Sequence, residues 1–378
     1  MDKSTKLKLG YRTQFRLFVD FAFREIHPGP LHANWHIDVM VDALAGIANG
    51  GQGRLILNAP PRSLKSFCGS IALPAFLLGR NPTKQILIVV GNPGLGIELL
   101  AKLRKLMSSP RYRALFPHVN FDKAASDIAL SRGGSIRFAI IGHQISGRGA
   151  DLIIVDDPLS PSHAKNEKRR SFVNQFYKAD IATRLNDKGG AILVIMQRVH
   201  SQDLSAHILN HDPSFKRIAL SAIALKNETW RLSNGRVWHR EKYQPLDPDR
   251  ESWARLLDVL RQIGSFQFSG QYLQGGGIYF TENETDCKFL WEVPKPDAKP
   301  PYGTFGGLVR IRHVDCMVHK VFGVPYTGPR MSTAAPAWTK EYEEYAIAYQ
   351  AWLSKSPPTD MPEEFRSPER PMPKYVII

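Results

Sequence analysis

Two short segments of this chain carry the residue types that nucleotide chemistry needs. The first is Leu55–Ser66, LILNAPPRSLKS. An apolar run enters a tight loop, and Lys-Ser then opens a helical pattern. In that layout the loop N–H groups cradle phosphates, Lys65 reaches the β/γ oxygens, and the Ser66 hydroxyl binds Mg²⁺. Pro60, Pro61, Arg62, Ser63 and Leu64 form the body of this nucleotide-binding loop. The spacing departs from G-x-x-x-x-G-K-[ST] at both glycines. Ala59 stands at the first and Leu64 at the second, where glycine ordinarily lets the backbone approach the phosphate. An ordinary strand–helix turn shares much of this pattern.

The second segment is Asp151–Pro158, DLIIVDDP. Four apolar residues end in two acids, the layout of a Walker B strand. Asp156 would hold the Mg²⁺ bound by Ser66, and Asp157 would orient or deprotonate the attacking water. Most P-loop motors use Glu there, and Asp is one methylene shorter. Asp-Pro also opens ordinary turns. The two segments together say more than either alone, because they stand in the expected order on strands of the right kind.

Those strands belong to a wider alternation. Gln85–Val90, Ser135–Ile141, Leu152–Val155 and Ala191–Met196 are apolar runs of strand length, separated by helical patterns such as Leu95–Met107. Continuous apolar runs mark strands covered on both faces, and alternation with helices implies crossovers. The fold class expected is α/β, a P-loop NTPase with a mostly parallel central sheet flanked by helices. Residues 1–50 read as an N-terminal helical segment, with Phe15, Leu17, Phe18, Phe21 and Phe23 on an apolar face. Residues 51–200 read as the core, and 201–275 as a small helical lid or linker subdomain, with apolar Trp253, Leu256, Leu257 and Leu260 at helical spacing. Residues 276–378 read as an atypical, poorly structured C-terminal region that includes a proline-rich stretch, WEVPKPDAKPP.

Composition bounds the partners. The 378 residues carry 50 Lys+Arg and 35 Asp+Glu, a formal charge of +15. Residues 276–378 hold 12 basic and 13 acidic side chains, so the whole excess lies in the first 275. Such a surface favours polyanions, nucleic acid among them, although solubility alone is a use for it. Three widely spaced cysteines fit a reducing compartment. No stretch approaches the roughly 20 apolar residues of a membrane span, and the N-terminus has no secretory signal pattern.

At this point the sequence resembles the phage terminase large subunit, in its ATPase portion. NAPPRSLKS, SGRGADLIIVDDP, Thr183–Leu185 and IMQRVHSQDLSAHIL carry the resemblance, which runs from about Pro30 to Gln274. It implies an ATP-hydrolysing motor that moves double-stranded viral DNA into a procapsid, with ATP and Mg²⁺ as cofactors. Its partners would be DNA, a portal protein and a terminase small subunit, and its active form a homo-oligomeric ring in the host cytoplasm. The resemblance assigns Lys65 and Ser66 to Walker A and Asp156 and Asp157 to Walker B. It sets Arg62 against the γ-phosphate and Gln197, Arg198 and His200 in the segment coupling hydrolysis to movement. Trp35 and His36 fall where the family contacts adenine. Arg148, in the Gly-Arg-Gly before the second strand, is as well explained by a surface turn as by a DNA contact.

Family members usually continue into a nuclease that places several acids around two metal ions. Here Asp315 is the one acid after a strand-like run, and Glu341, Glu343 and Glu344 share the polar side of a helical pattern. The expectation is a chain without endonuclease activity. His313, Cys316 and His319 lack a fourth zinc ligand. Two other functions compete with the packaging motor. One is a degenerate prophage remnant without turnover, and the other a helicase-like DNA-dependent ATPase.

Overall fold

The computed structural model describes residues 2–49, 53–122, 127–145, 149–187 and 189–275, together with the backbone of three short strands beyond them. Asp315, the three glutamates and the His-Cys-His group lie outside the described residues, as does Arg148. The chain forms two units, one of residues 1–220 and 227–240, the other of 221–226 and 241–378.

The first unit is built on a seven-stranded sheet. Its strands are β1 (Arg54–Asn58), β2 (Gln85–Val90), β3 (Ile128–Ala129), β4 (Ser135–Ile140), β5 (Leu152–Asp156), β6 (Ala191–Met196) and β7 (Lys216–Ala219). They lie in the order β3-β4-β2-β5-β6-β1-β7. All neighbours pair in parallel except the two-residue β3. The five apolar runs seen in the sequence are β1, β2, β4, β5 and β6. β2, β5 and β6 are buried almost throughout, as strands covered on both faces must be. β7 has no apolar run; its residues Lys216, Arg217, Ile218 and Ala219 are exposed or half-buried, as an edge strand permits.

Helices cover both faces. α1 (Lys3–Thr13), α2 (Phe15–Ile26) and α3 (Trp35–Ala48) precede the sheet. α2 buries Phe15, Phe18, Val19, Ala22 and Ile26, the i, i+3, i+4 spacing of one helix stripe, together with Phe21. Leu17 and Phe23 stay half-buried at its flanks. Phe18 meets Phe76, Tyr112 and Phe116 with ring centroids 5.2, 6.2 and 6.1 Å away, so α2 packs on α4 (Leu73–Arg80) and α6 (Pro110–Leu115). Each such ring contributes roughly 1.5–3 kcal/mol by burial. α5 (Pro93–Ser108) starts on an Asn92 cap with proline at its first turn. On the other face α7 (Glu167–Phe176) and α8 (Leu204–His211) bury Val173, Leu204 and Ile208 with Val155, Val194 and Met196.

A two-stranded hairpin, β8 (Glu228–Arg231) and β9 (Val237–Arg240), completes this unit. Asp42 accepts from the Ser233 backbone N–H at 3.1 Å, and Asp38 pairs with Arg236 at 3.1 Å, which fixes the hairpin to α3.

The second unit centres on α9 (Trp253–Gln271), kinked where Gly264 has φ 79°. Leu256, Leu260 and Phe268 are buried with Ala222, Ile223 and Leu246. Three strands, β10 (Ile278–Tyr279), β11 (Cys287–Leu290) and β12 (Leu308–Ile311), pair as an antiparallel sheet. Among the described residues, no helix is long and apolar enough to cross a membrane.

Candidate nucleotide site

The order β5-β6-β1 decides where the chemistry gathers. These strands are parallel and in register, with Asp156 opposite Ile195 and Met196 opposite Asn58. Their C-terminal tips therefore lie side by side, and the crevice beyond such tips is where open α/β sheets bind ligands. The candidate phosphate loop leaves β1, the two acids stand at the end of β5, and Gln197 leaves β6 between them.

Lys65 and Ser66 open the helix after the loop. That helix widens into a π-helical turn over Phe67–Ala72 and continues as α4. Such turns are rare and cluster at functional sites. Gly69 in this turn lies close against β6: a Cβ there would stand 2.3 Å from the Ile195 Cδ1 atom, which would have to shift to admit it. The helix thus presses directly on β6. Its Ser66 and Ser70, four residues apart on one face, both point at Asp156. Ser66 Oγ donates to Oδ1 at 3.0 Å and Ser70 Oγ to Oδ2 at 2.6 Å. Ser70 is a site residue that the motif reading misses. The signal was its i+4 spacing from Ser66.

Asp156 is fully buried. Burial first, and the neighbouring Asp157 carboxylate second, hold its carboxyl well above the ordinary carboxylate range, against the pull of Ser70, Lys65 and Ser66. Asp157 is more open. Its Oδ2 lies 3.6 Å from Lys65 Nζ, its Oδ1 accepts from the Gln197 backbone N–H at 3.4 Å, and its side chain is 31% exposed. Its backbone N–H is fixed by the Ile195 carbonyl at 2.8 Å.

The backbone here is strained in three places. Arg62, Leu64 and Asp157 have φ of 60°, 66° and 40°. Leu64 therefore holds the left-handed conformation that glycine ordinarily supplies at this position, at a cost of about 1–2 kcal/mol. Ser63 caps the loop internally, its Oγ donating to the Pro60 carbonyl at 2.8 Å. Pro60 is buried and Arg62 lies exposed at the rim.

The residues present fit a magnesium nucleotide. One buried carboxylate and one hydroxyl, 3.0 Å apart, are hard oxygen donors. Mg²⁺ takes a carboxylate or two and keeps its remaining positions for water and phosphate oxygens. No group of three His, Cys, Asp or Glu gathers among the described residues, so this is no all-protein cage. A cation beside Asp156 would also offset the cost of its buried charge.

The other expected residues are placed differently. Arg198 and His200 are buried in the turn that follows β6, and Arg198 is paired with Asp203. Gln197 reaches the acid pair through its backbone N–H. His200 Nδ1 accepts from the Gln202 backbone N–H at 3.0 Å, and burial with the charge of Arg170 pushes its imidazole down to about 4. Trp35 packs against Trp230 of the hairpin at 6.3 Å, with the Arg240 guanidinium 5.7 Å from its ring, while His36 is buried in α3. The rings beside the loop's helix are Phe23 and His27, 5.4 and 6.1 Å from Phe67. His27 has no sequence signal that would single it out.

No protein-family model and no curated protein matches this chain. Solved structures do. The bacteriophage HK97 large terminase is 15% identical with a TM-score of 0.39, over 56% of this chain and 44% of that one. A variant of the Thermus phage P74-26 large terminase ATPase domain is 14% identical with a TM-score of 0.44, over 66% and 95%. The large terminase of a thermophilic bacteriophage, in complex with ADP, is 12% identical with a TM-score of 0.34, over 69% and 52%. The chain thus spans about half or less of the two whole large terminases.

Proposed function

We propose that this chain is an ATP hydrolase of the P-loop class and the motor of a viral DNA-packaging machine. The observation that carries the hydrolase reading is one juxtaposition at the tips of β1 and β5. Ser66 meets Asp156 at 3.0 Å, and Lys65 meets Asp157 at 3.6 Å. Four residues from two distant segments form one cluster with the charges that phosphoryl transfer uses.

In this reading the loop N–H groups and Lys65 bind the β/γ-phosphates, and Arg62 reaches the γ-phosphate from the rim. Ser66 and Asp156 would hold Mg²⁺, which would supply positive charge to the phosphate oxygens when bound. Asp157 takes the proton of the attacking water. Lys65 gives up its contact with Asp157 as it turns to the phosphates, which leaves that carboxylate available as a base. Gln197, bonded to Asp157 through its backbone, senses the γ-phosphate at the tip of β6.

The DNA-motor reading rests on the motif resemblance and on the +15 charge, concentrated in the first 275 residues. The chain would track double-stranded DNA electrostatically, without reading sequence. It would work in the host cytoplasm as a homo-oligomeric ring with a portal protein and a small subunit. The reading assigns no DNA cutting to the chain. Steady-state ATP hydrolysis, with and without double-stranded DNA, tests it. Turnover that rises with DNA and falls steeply with added salt is expected. Unwinding of a forked duplex would favour a helicase instead, and plasmid nicking with divalent metal would refute the assignment of hydrolysis alone.

A further inference from the structure

The turn after Gln197 is held by a buried acid that no phosphate-loop or Walker motif contains. Asp203 is fully buried at the N-terminus of α8. Its two carboxylate oxygens accept from Arg198 Nε at 2.9 and 2.8 Å, from the Val199 and His200 backbone N–H groups at 3.0 and 3.3 Å, and from the Ala206 N–H at 3.1 Å. Arg198 also donates to the His200 carbonyl at 3.0 Å. A helix N-cap needs one or two of these bonds. This carboxylate makes them and also closes the turn from β6 to α8.

The same stretch of α8 reaches the root of the phosphate loop. Ser205 Oγ donates to Asn58 Oδ1 at 3.0 Å, and Arg217 Nε of β7 donates to the same oxygen at 2.7 Å. Asn58 Nδ2 donates to the Met196 carbonyl at 3.1 Å. The arginine fixes which way the amide faces, since it can only donate. Asn58 ends β1 and lies two residues before Pro60. Two anchors thus stand two residues apart at the start of α8: Ser205 bonds to Asn58 at the loop root, and Asp203 holds the turn that follows Gln197.

We propose that Asp203 is a positioning residue for the hydrolytic site. It locks Arg198 and the turn behind Gln197, and it fixes the first turn of α8, whose Ser205 bonds to Asn58 at the root of the phosphate loop. Arg198 acts inside this brace and not on the nucleotide. The proposal rests on the ATP-hydrolase reading for its kinetic consequence, and on the brace alone for its structural one.

Asp203→Asn in the full chain tests both. The amide keeps an oxygen for the cap and removes the charge facing Arg198. Hydrogen exchange over residues 197–202 should quicken about tenfold, with β2 unchanged, because only the local opening is made easier. Turnover (kcat) should fall about tenfold while the Kd for ATPγS stays within about threefold, the signature of lost positioning in the reacting state. If that variant does not fold, Ser205→Ala deletes a single hydroxyl, and a gain of about threefold in exchange over the same segment is expected. Exchange at wild-type rates over 197–202, or an increase spread equally over β2, overturns the proposal. A tenfold loss that falls on nucleotide affinity and not on kcat also overturns it. A wild-type chain that neither binds nor hydrolyses ATP sinks the hydrolase reading, and the exchange result still decides on Asp203.

Discussion

Two ion pairs lie near the tip of β6; their cations are similarly buried, and they differ in length and in the exposure of their acids. Lys65 and Asp157 stand 3.6 Å apart, with the aspartate side chain 31% exposed. Arg198 and Asp203 make two contacts below 3 Å, and their side chains are 9% and 0% exposed. The first pair is long and open on one side, which in the proposed site would let a phosphate take the lysine and leave the acid for water. The second is closed: one Arg198 N–H, on Nε, is shared between both carboxylate oxygens, and the same carboxylate fixes a backbone turn. Motif matching grades Lys65, Asp157 and Arg198 alike as functional residues after a strand. Geometry separates a pair open to solvent on one side from a pair closed around a backbone turn.

The sharpest break of this contrast is in stability. Arg198→Met should cost about 3–5 kcal/mol, since it strands a buried carboxylate. Lys65→Ala should change stability by about 1 kcal/mol or less, because Asp157 keeps its access to water. Urea unfolding of both variants reads the difference, and equal losses would erase the distinction. Ser70→Ala is next. It leaves one oxygen of buried Asp156 without its donor and should cost about 1–3 kcal/mol, read in the same experiment.

The closed region should also respond to acid. His200 titrates at about 4 in the folded chain, below the ordinary 6.5, because burial and Arg170 disfavour its charge. The unfolded chain then binds the proton first. Stability from this group is complete above pH 6.5 and is lost as pH falls from 6.5 through about 4. His200→Gln should flatten the slope of melting temperature against pH in that window. An unchanged slope would place His200 outside the brace. The smallest effect concerns the open region. Leu64→Gly removes about 1–2 kcal/mol of left-handed strain and some burial in return. The two should nearly cancel in a thermal melt, with ATPγS affinity kept or improved. A large loss of affinity would mean that the leucine side chain itself serves the nucleotide.

Much of this was legible in the residues. Buried parallel strands have to be apolar throughout, so β2 and β6 appear in the sequence with the bounds that the structure gives them. The carboxylates of β5 follow from the same logic, as the first polar residues after the run. β7 was not legible, because an edge strand may carry Lys216 and Arg217 and so shows no apolar run. Ser70 was hidden by the convention that ends the motif at Ser66, although helix spacing points to it. Asp203 was hidden because an acid before a helix is an ordinary cap, and only the fold shows Arg198 turned back onto it. Leu64 is the reverse case. The sequence shows the missing glycine, and the backbone at φ 66° shows the leucine taking its conformation.

The central claim is that Lys65, Ser66, Asp156 and Asp157 form one hydrolytic site. Steady-state ATP hydrolysis by the full chain tests it most directly, beside Lys65→Ala and Asp156→Ala variants confirmed as folded. The account predicts Mg²⁺-dependent turnover in the parent and a loss of about a hundredfold or more in each variant, the scale of removing a charge that stabilises phosphoryl transfer. Turnover that survives either substitution, or a parent that binds ATPγS and never hydrolyses ATP, would contradict it.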